Sequence, residues 1–212
     1  MLDPVLKNLL KGITLIEDDF GVVNRIISKQ LGAYALKNGK KVCFLEPPTS
    51  SGESPSSPGE GGEFSGLEVP TETVLENSSG AQKNAVIYRT EERLVPLEQL
   101  NFDLIVFDSF SSYVFALTEK EVVDLMQEIA RLSKQGKSFA LTCEAPMLEE
   151  RVISYIRANV DSLILVRAEI GQNKINRTLY IPKMLGMKPL DHVVKITIED
   201  DGVDIDTREF VG

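Results

Sequence analysis

Apolar and polar positions along the chain alternate between two periods. Gly12-Ile13-Thr14-Leu15-Ile16-Glu17 is a short apolar run that predicts a strand. From Gly21 to Leu36, Val22, Val23, Ile26, Ile27, Leu31, Tyr34 and Ala35 recur at helical spacing, and Asn38-Gly39 supplies the stop. Val42–Leu45 predicts a second strand and Leu104–Asp108 a third, apolar on both faces and ending in a carboxylate. Thr118, with Glu119 and Glu121 behind it, opens a helix carrying Val122, Leu125, Met126, Ile129 and Leu132 that stops near Gly136. Phe139–Cys143 predicts a fourth strand, residues 147–158 a further amphipathic helix, and Ser162–Val166 a fifth strand. Strands that are continuous apolar runs separated by helices imply a mostly parallel central sheet covered on both faces, a three-layer α/β/α fold. After Ile164 the texture changes: Leu179–Ile181 and Val193–Ile198 alternate, and Asp200-Asp201-Gly202 is a hairpin signal. Antiparallel C-terminal strands are therefore expected on one edge of the sheet.

One stretch breaks this rhythm. Residues 48–82 are rich in Ser, Pro, Gly and Glu, with almost no apolar periodicity, and read as a flexible low-complexity insertion. The expectation is a single domain over 1–212, with Val86-Ile87-Tyr88 resuming ordered structure. A net charge of −9 argues against general binding to the phosphate backbone of nucleic acid. No run of 18 apolar residues exists to span a membrane, and the N-terminal stretch has neither a basic head nor a cleavage site, so a cytoplasmic protein is expected. Cys43 and Cys143 sit inside apolar runs and read as buried reduced thiols. With His192 the only histidine, a histidine metal site or a Ser/His dyad has little raw material, and no metal is expected. The acidic run Glu199-Asp200-Asp201 lacks the spacing of a calcium loop.

A strand, a glycine-bearing loop, a helix, and a later strand ending in Asp108 form the layout of a P-loop nucleotidase core. Together with Ser109-Phe110-Ser111-Ser112, the Asn176–Gly186 stretch, the phrase Leu36-Lys37-Asn38-Gly39-Lys40-Lys41-Val42 and the hairpin near Gly202, it resembles the RecA/KaiC-like ATPases, and within them the FlaH-type archaellum ATPase homologues. The likeness covers residues 9–46 and 84–208. It implies a RecA-like fold, a strand-ending Asp108 in the place of a magnesium-orienting carboxylate, a catalytic glutamate near Glu46, and Arg177 and Lys183 on a strand that faces a neighbouring subunit.

The loop itself departs from the pattern G-x-x-x-x-G-K-[ST]. With Ile13–Glu17 in register, Asp18 stands at the first glycine, Val23 at the second, Asn24 at the lysine and Arg25 at the hydroxyl; Gly21 alone remains of the glycines. A β-branched residue resists the positive φ such a loop requires, by at least ~1–2 kcal/mol. Asparagine carries no charge for the phosphates, and arginine cannot ligate a cation. Glu17, Asp18 and Asp19 add carboxylates, each costing about 3 kcal/mol against a phosphate charge ~5 Å away at an effective dielectric of ~20. MgATP is therefore disfavoured, and no cofactor is expected.

The reading that follows is a catalytically silent homologue that works through protein partners, as an assembly or regulatory subunit beside an archaellum or type IV pilus-like motor or another RecA-like ATPase, in a homo- or hetero-oligomer. The alternative is a nucleotide-binding ATPase in which Arg25 replaces the lysine and Asp108 works with Glu46 or Glu144. In the first reading Asp108 caps nearby backbone, Glu144 is a solvated loop carboxylate, and Arg177 and Lys183 pair with acidic residues at an interface or on the surface.

Overall fold

The computed structural model describes residues 7–46, 85–89, 96–171, 175–186, 188, 192–199 and 202–205. Its elements run β1 (Ile13–Asp18), α1 (Val23–Lys37), β2 (Val42–Glu46), β3 (Ala85–Arg89), β4 (Leu104–Phe107), α2 (Phe110–Phe115), α3 (Glu119–Lys134), β5 (Ser138–Cys143), α4 (Glu150–Ala158), β6 (Ser162–Ile170), β7 (Ile175–Lys183), β8 (Val194–Glu199) and β9 (Gly202–Ile205). The expected insertion at 48–82 lies outside the described residues.

All nine strands join one sheet in the order β3-β2-β4-β5-β1-β6-β7-β8-β9. The six from β3 to β6 are parallel, and β7, β8 and β9 add on antiparallel beyond β6. The mostly parallel core with an antiparallel edge is the arrangement the sequence predicts. Most differences lie at element ends: β6 and β7 are longer than their apolar cores suggested, and the helix expected from residue 147 begins at Glu150, after a 3-10 turn at Ala145–Met147. The short helix α2 was not anticipated, because six residues are too few to show a period.

Period-two alternation in the strands sends side chains into two cores. On one face Leu15, Ile105, Phe107, Phe139 and Leu141 meet Phe110, Ile129 and Ile153 from α2, α3 and α4. Phe107 stacks edge-on against both Phe110 and Tyr113. On the other face Ile16, Val106, Ala140, Ile164 and Leu179 lie under Val23, Ile27 and Leu31 of α1. The start of α3 is a complete capping box: the Glu121 amide donates to Thr118 Oγ1 at 3.3 Å, and the Thr118 amide donates to Glu121 Oε2 at 2.7 Å. Cys43 and Cys143 are free and buried, and burial pushes each thiol up to about 12.

Connections from β1 lead one way across the sheet to β2, and the connection from β5 leads the other way to β6, so the chain reverses its winding beside β1. In open α/β sheets the carboxyl ends of the strands at such a reversal form the ligand crevice. Here that crevice is bounded by the ends of β1, β4 and β5.

Candidate functional site

Strand alternation decides what the three consecutive carboxylates do. Thr14, Ile16 and Asp18 point toward α1, while Leu15 and Glu17 point toward α4. Glu17 is fully buried and receives two hydrogen bonds from Arg157, at 2.8 Å each from Nε and Nη2. Asp19 turns outward to Arg167 on β6, 3.0 Å away. The expectation that all three carboxylates would face an incoming phosphate is therefore corrected to one, Asp18.

Asp18 is almost wholly buried at the N-terminus of α1. Its Oδ2 accepts hydrogen bonds from the amides of Val22 at 2.8 Å and Val23 at 2.7 Å, and Oδ1 accepts from Phe20 at 3.4 Å. Residue 22, where α1 begins, offers no side-chain cap of its own. The carboxylate four residues upstream satisfies the orphan donors and meets the positive end of the helix dipole. Between them, Gly21 turns with φ +69°, and a Cβ there would stand 2.6 Å from Glu144 Oε1, so a side chain at this position would be strained and would displace the Glu144 carboxylate.

The positions expected to match the lysine and hydroxyl are also engaged. Asn24 is buried; its Oδ1 accepts from the Arg25 amide at 2.6 Å and its Nδ2 reaches Glu144 Oε1 at 3.4 Å. Arg25 places Nε 3.1 Å from Asp108 Oδ1. This is a charge contact, since no directed hydrogen bond reaches that oxygen. Asp108 was expected to cap backbone; its side chain pairs with a cation instead, while its own amide donates to the Leu45 carbonyl at 2.9 Å. Glu46 ends β2 nearby, and its carbonyl accepts from Tyr113 Oη at 2.7 Å.

Glu144 is not a solvated loop carboxylate. It is half-buried beyond β5, accepts hydrogen bonds from Ser109 at 3.1 Å and from Ser111, and its amide donates to Ser111 Oγ at 3.2 Å. Ser109 holds φ +62°, the one positive φ at a non-glycine among the described residues, and its amide donates to Thr142 Oγ1 at 2.6 Å. A strained serine behind Asp108 joins the ends of β4 and β5 into one polar cluster. Sequence spacing gave no hint of it, because Ser109, Ser111, Thr142 and Glu144 come from segments about 30 residues apart. Arg177 and Lys183 lie on β7, away from this cluster. Neither finds an acidic partner among the described residues; Lys183 Nζ instead donates to the Ala158 carbonyl at 3.4 Å.

Burial raises the Asp108 carboxyl above its ordinary 3.8, with Glu46 and Glu144 adding to the rise and Arg25 and Lys29 opposing it. The folded state thus holds this proton more tightly than the unfolded chain. The resulting contribution to stability is complete below the unfolded value and is lost as pH rises through the folded one. Asp108→Asn is expected to remove this falling component from a series of urea unfolding curves taken upward from about pH 4. Parallel stability–pH profiles for the two proteins would contradict it.

Two solved structures are similar to the chain over nearly its whole length. Flagellar accessory protein FlaH from Methanocaldococcus jannaschii superposes with a TM-score of 0.71 at 15% identity, covering 96% of this chain and 95% of its own. The KaiC-like protein PH0186 from Pyrococcus horikoshii OT3 gives 0.60 at 12% identity, over 92% and 89%. The chain shares their RecA-like fold. No family model matches it, and no curated protein matches it by sequence. Among the described residues, no three His, Cys, Asp or Glu side chains are grouped as metal ligands, and no helix is long and apolar enough to cross a membrane.

Proposed function

We propose that this chain is a RecA-fold protein without nucleotide turnover, acting in the cytoplasm as an assembly or regulatory partner of a motor ATPase. The observation that carries the reading is the Asp18 carboxylate seated on the amides of Val22 and Val23. These donors would have to receive phosphate oxygens, and a phosphate would have to displace an internal anion that is tethered to them and needs no binding step. The residues present do not fit a magnesium triphosphate. Asn24 offers no cation, Arg25 is drawn toward Asp108, and the Glu144 carboxylate closes over Gly21.

The outer side of the same turn favours a protein partner over a phosphate. Phe20 and Val22 are 61% and 50% exposed, and Met147 beyond β5 is 44% exposed, so the rim carries apolar anchors. FlaH, whose fold this chain shares, is a flagellar accessory protein, and that supports an accessory role here, proposed as a subunit of a homo- or hetero-oligomer. Calorimetric titration with MgATP is expected to give no binding heat up to millimolar nucleotide. Micromolar affinity that disappears in Asp108→Ala would overturn the proposal and favour an ATPase with an atypical loop.

A further inference from the structure

At the end of the sheet opposite the cleft, the fold joins the lysines of residues 37–41 to others from distant segments of the sequence. Register aligns the starts of β1, β2, β4, β5 and β6 there. Lys11 lies just before β1, Lys40 and Lys41 just before β2, Lys37 in the last turn of α1, Lys134 in the last turn of α3, and Lys183 at the end of β7 beside Leu163. All six are exposed. Two carboxylates at this end are tied to backbone: Asp161 accepts from the Ile13 amide and Asp103, its side chain 45% exposed, from the Lys41 amide, each at 2.8 Å. Lys40 has one ion-pair contact, 4.0 Å from Asp103, and Lys11, Lys37, Lys41 and Lys134 meet no carboxylate among the described residues. Helix C-termini explain Lys37 and Lys134, in last turns, and Lys183, which donates to the Ala158 carbonyl at the end of α4, and leave Lys11, Lys40 and Lys41 unexplained. In a chain of net charge −9, a cationic end of this kind means a correspondingly more acidic remainder.

We infer that this end of the molecule docks on an anionic lipid bilayer surface. Folded protein partners are marked by arginine and aromatic anchors, and single-stranded nucleic acid by stacking aromatics. Neither is present here. The nearby Arg131 is paired with Glu98, and no exposed aromatic side chain lies at this end among the described residues. Long, strongly hydrated lysines that need no fixed geometry suit a fluid layer of headgroups, each strengthening attachment about fivefold. Leu185, 40% exposed, lies at the same end, its amide donating to Ser162 Oγ at 3.0 Å, and supplies an apolar contact for the interface. The surface is separate from the Asp18 turn, and the inference does not depend on whether that turn binds nucleotide.

Sedimentation of the full chain with phosphatidylserine-containing vesicles tests it, with pure phosphatidylcholine vesicles as the neutral comparison. Attachment is expected on the anionic vesicles at low salt and not at high salt. The joint variant Lys11→Glu, Lys37→Glu, Lys40→Glu, Lys41→Glu is expected to lose about a hundredfold or more in affinity. Lys120→Glu, at the opposite end of α3, is expected to change it little. Absence of wild-type attachment at low salt overturns the inference. So does equal attachment to neutral vesicles, unchanged affinity in the fourfold variant, or retention on duplex DNA without vesicle binding.

Discussion

Replacing Arg157 with methionine is expected to destabilise the protein by about 3–5 kcal/mol, the range for stranding one member of a buried ion pair. Glu17 has no accessible surface, and Arg157 supplies both hydrogen bonds to its carboxylate. Removing the guanidinium leaves a charge between β1 and α4 with neither solvent nor partner. Against a total stability on the order of 5–15 kcal/mol, such a loss takes a substantial share of the whole. Adding Glu17→Met to Arg157→Met is expected to restore most of it, since an apolar pair of similar volume needs no counter-charge. Urea unfolding of wild type, both single variants and the double variant measures the coupling. A cost under about 1 kcal/mol for Arg157→Met would mean that water reaches Glu17 and that the pair behaves like a surface bridge.

The second large effect is expected at Asp18. Asp18→Ala frees the amides of Val22 and Val23 at the start of α1, and at Val23 the residue is buried, so a loss of about 2–3 kcal/mol is expected. Asp18→Asn keeps a carbonyl acceptor in the same place and is expected to recover about half of this, the remainder reflecting the charge at the helix dipole. Chemical denaturation of the two variants gives the comparison. Indistinguishable stabilities for Asp18→Ala and wild type would show that the amides are satisfied in some other way, and would remove the basis for calling the loop self-capped.

Much of the architecture was legible before any coordinates. The apolar runs at residues 13–16, 42–45, 104–107, 139–143 and 162–166 each became a parallel strand, because a strand covered on both faces has no polar side to show. The alternating segments after Ile164 became the antiparallel edge for the complementary reason, with Tyr180 outward and Leu179 and Ile181 buried. The departure of residues 18–25 from the pattern G-x-x-x-x-G-K-[ST] was visible too, since it depends only on which residue types stand at fixed spacings. Strand parity was equally available in the sequence: it separates Glu17 from Asp18 by face, and applying it would have reduced three candidate carboxylates to one.

Other features had no local trace. The role of Asp18 as a helix cap depends on Gly21 folding the loop back, and Glu144 shares its carboxylate among Asn24, Ser109 and Ser111 only because β4, β5 and β1 end side by side. Asp108 pairs with Arg25 rather than backbone for the same reason. The cationic end has only a partial local trace: residues 37–41 carry three of its lysines, and parallel strand register brings Lys11 and Lys134, more than 100 residues apart, to the same surface.

Residue type and period along the chain, being local, determined the order of strands and helices and the layers they form. Only the tertiary structure decided which charges meet and which stand free, because pairing depends on the distances between strand ends, and sheet order sets those distances.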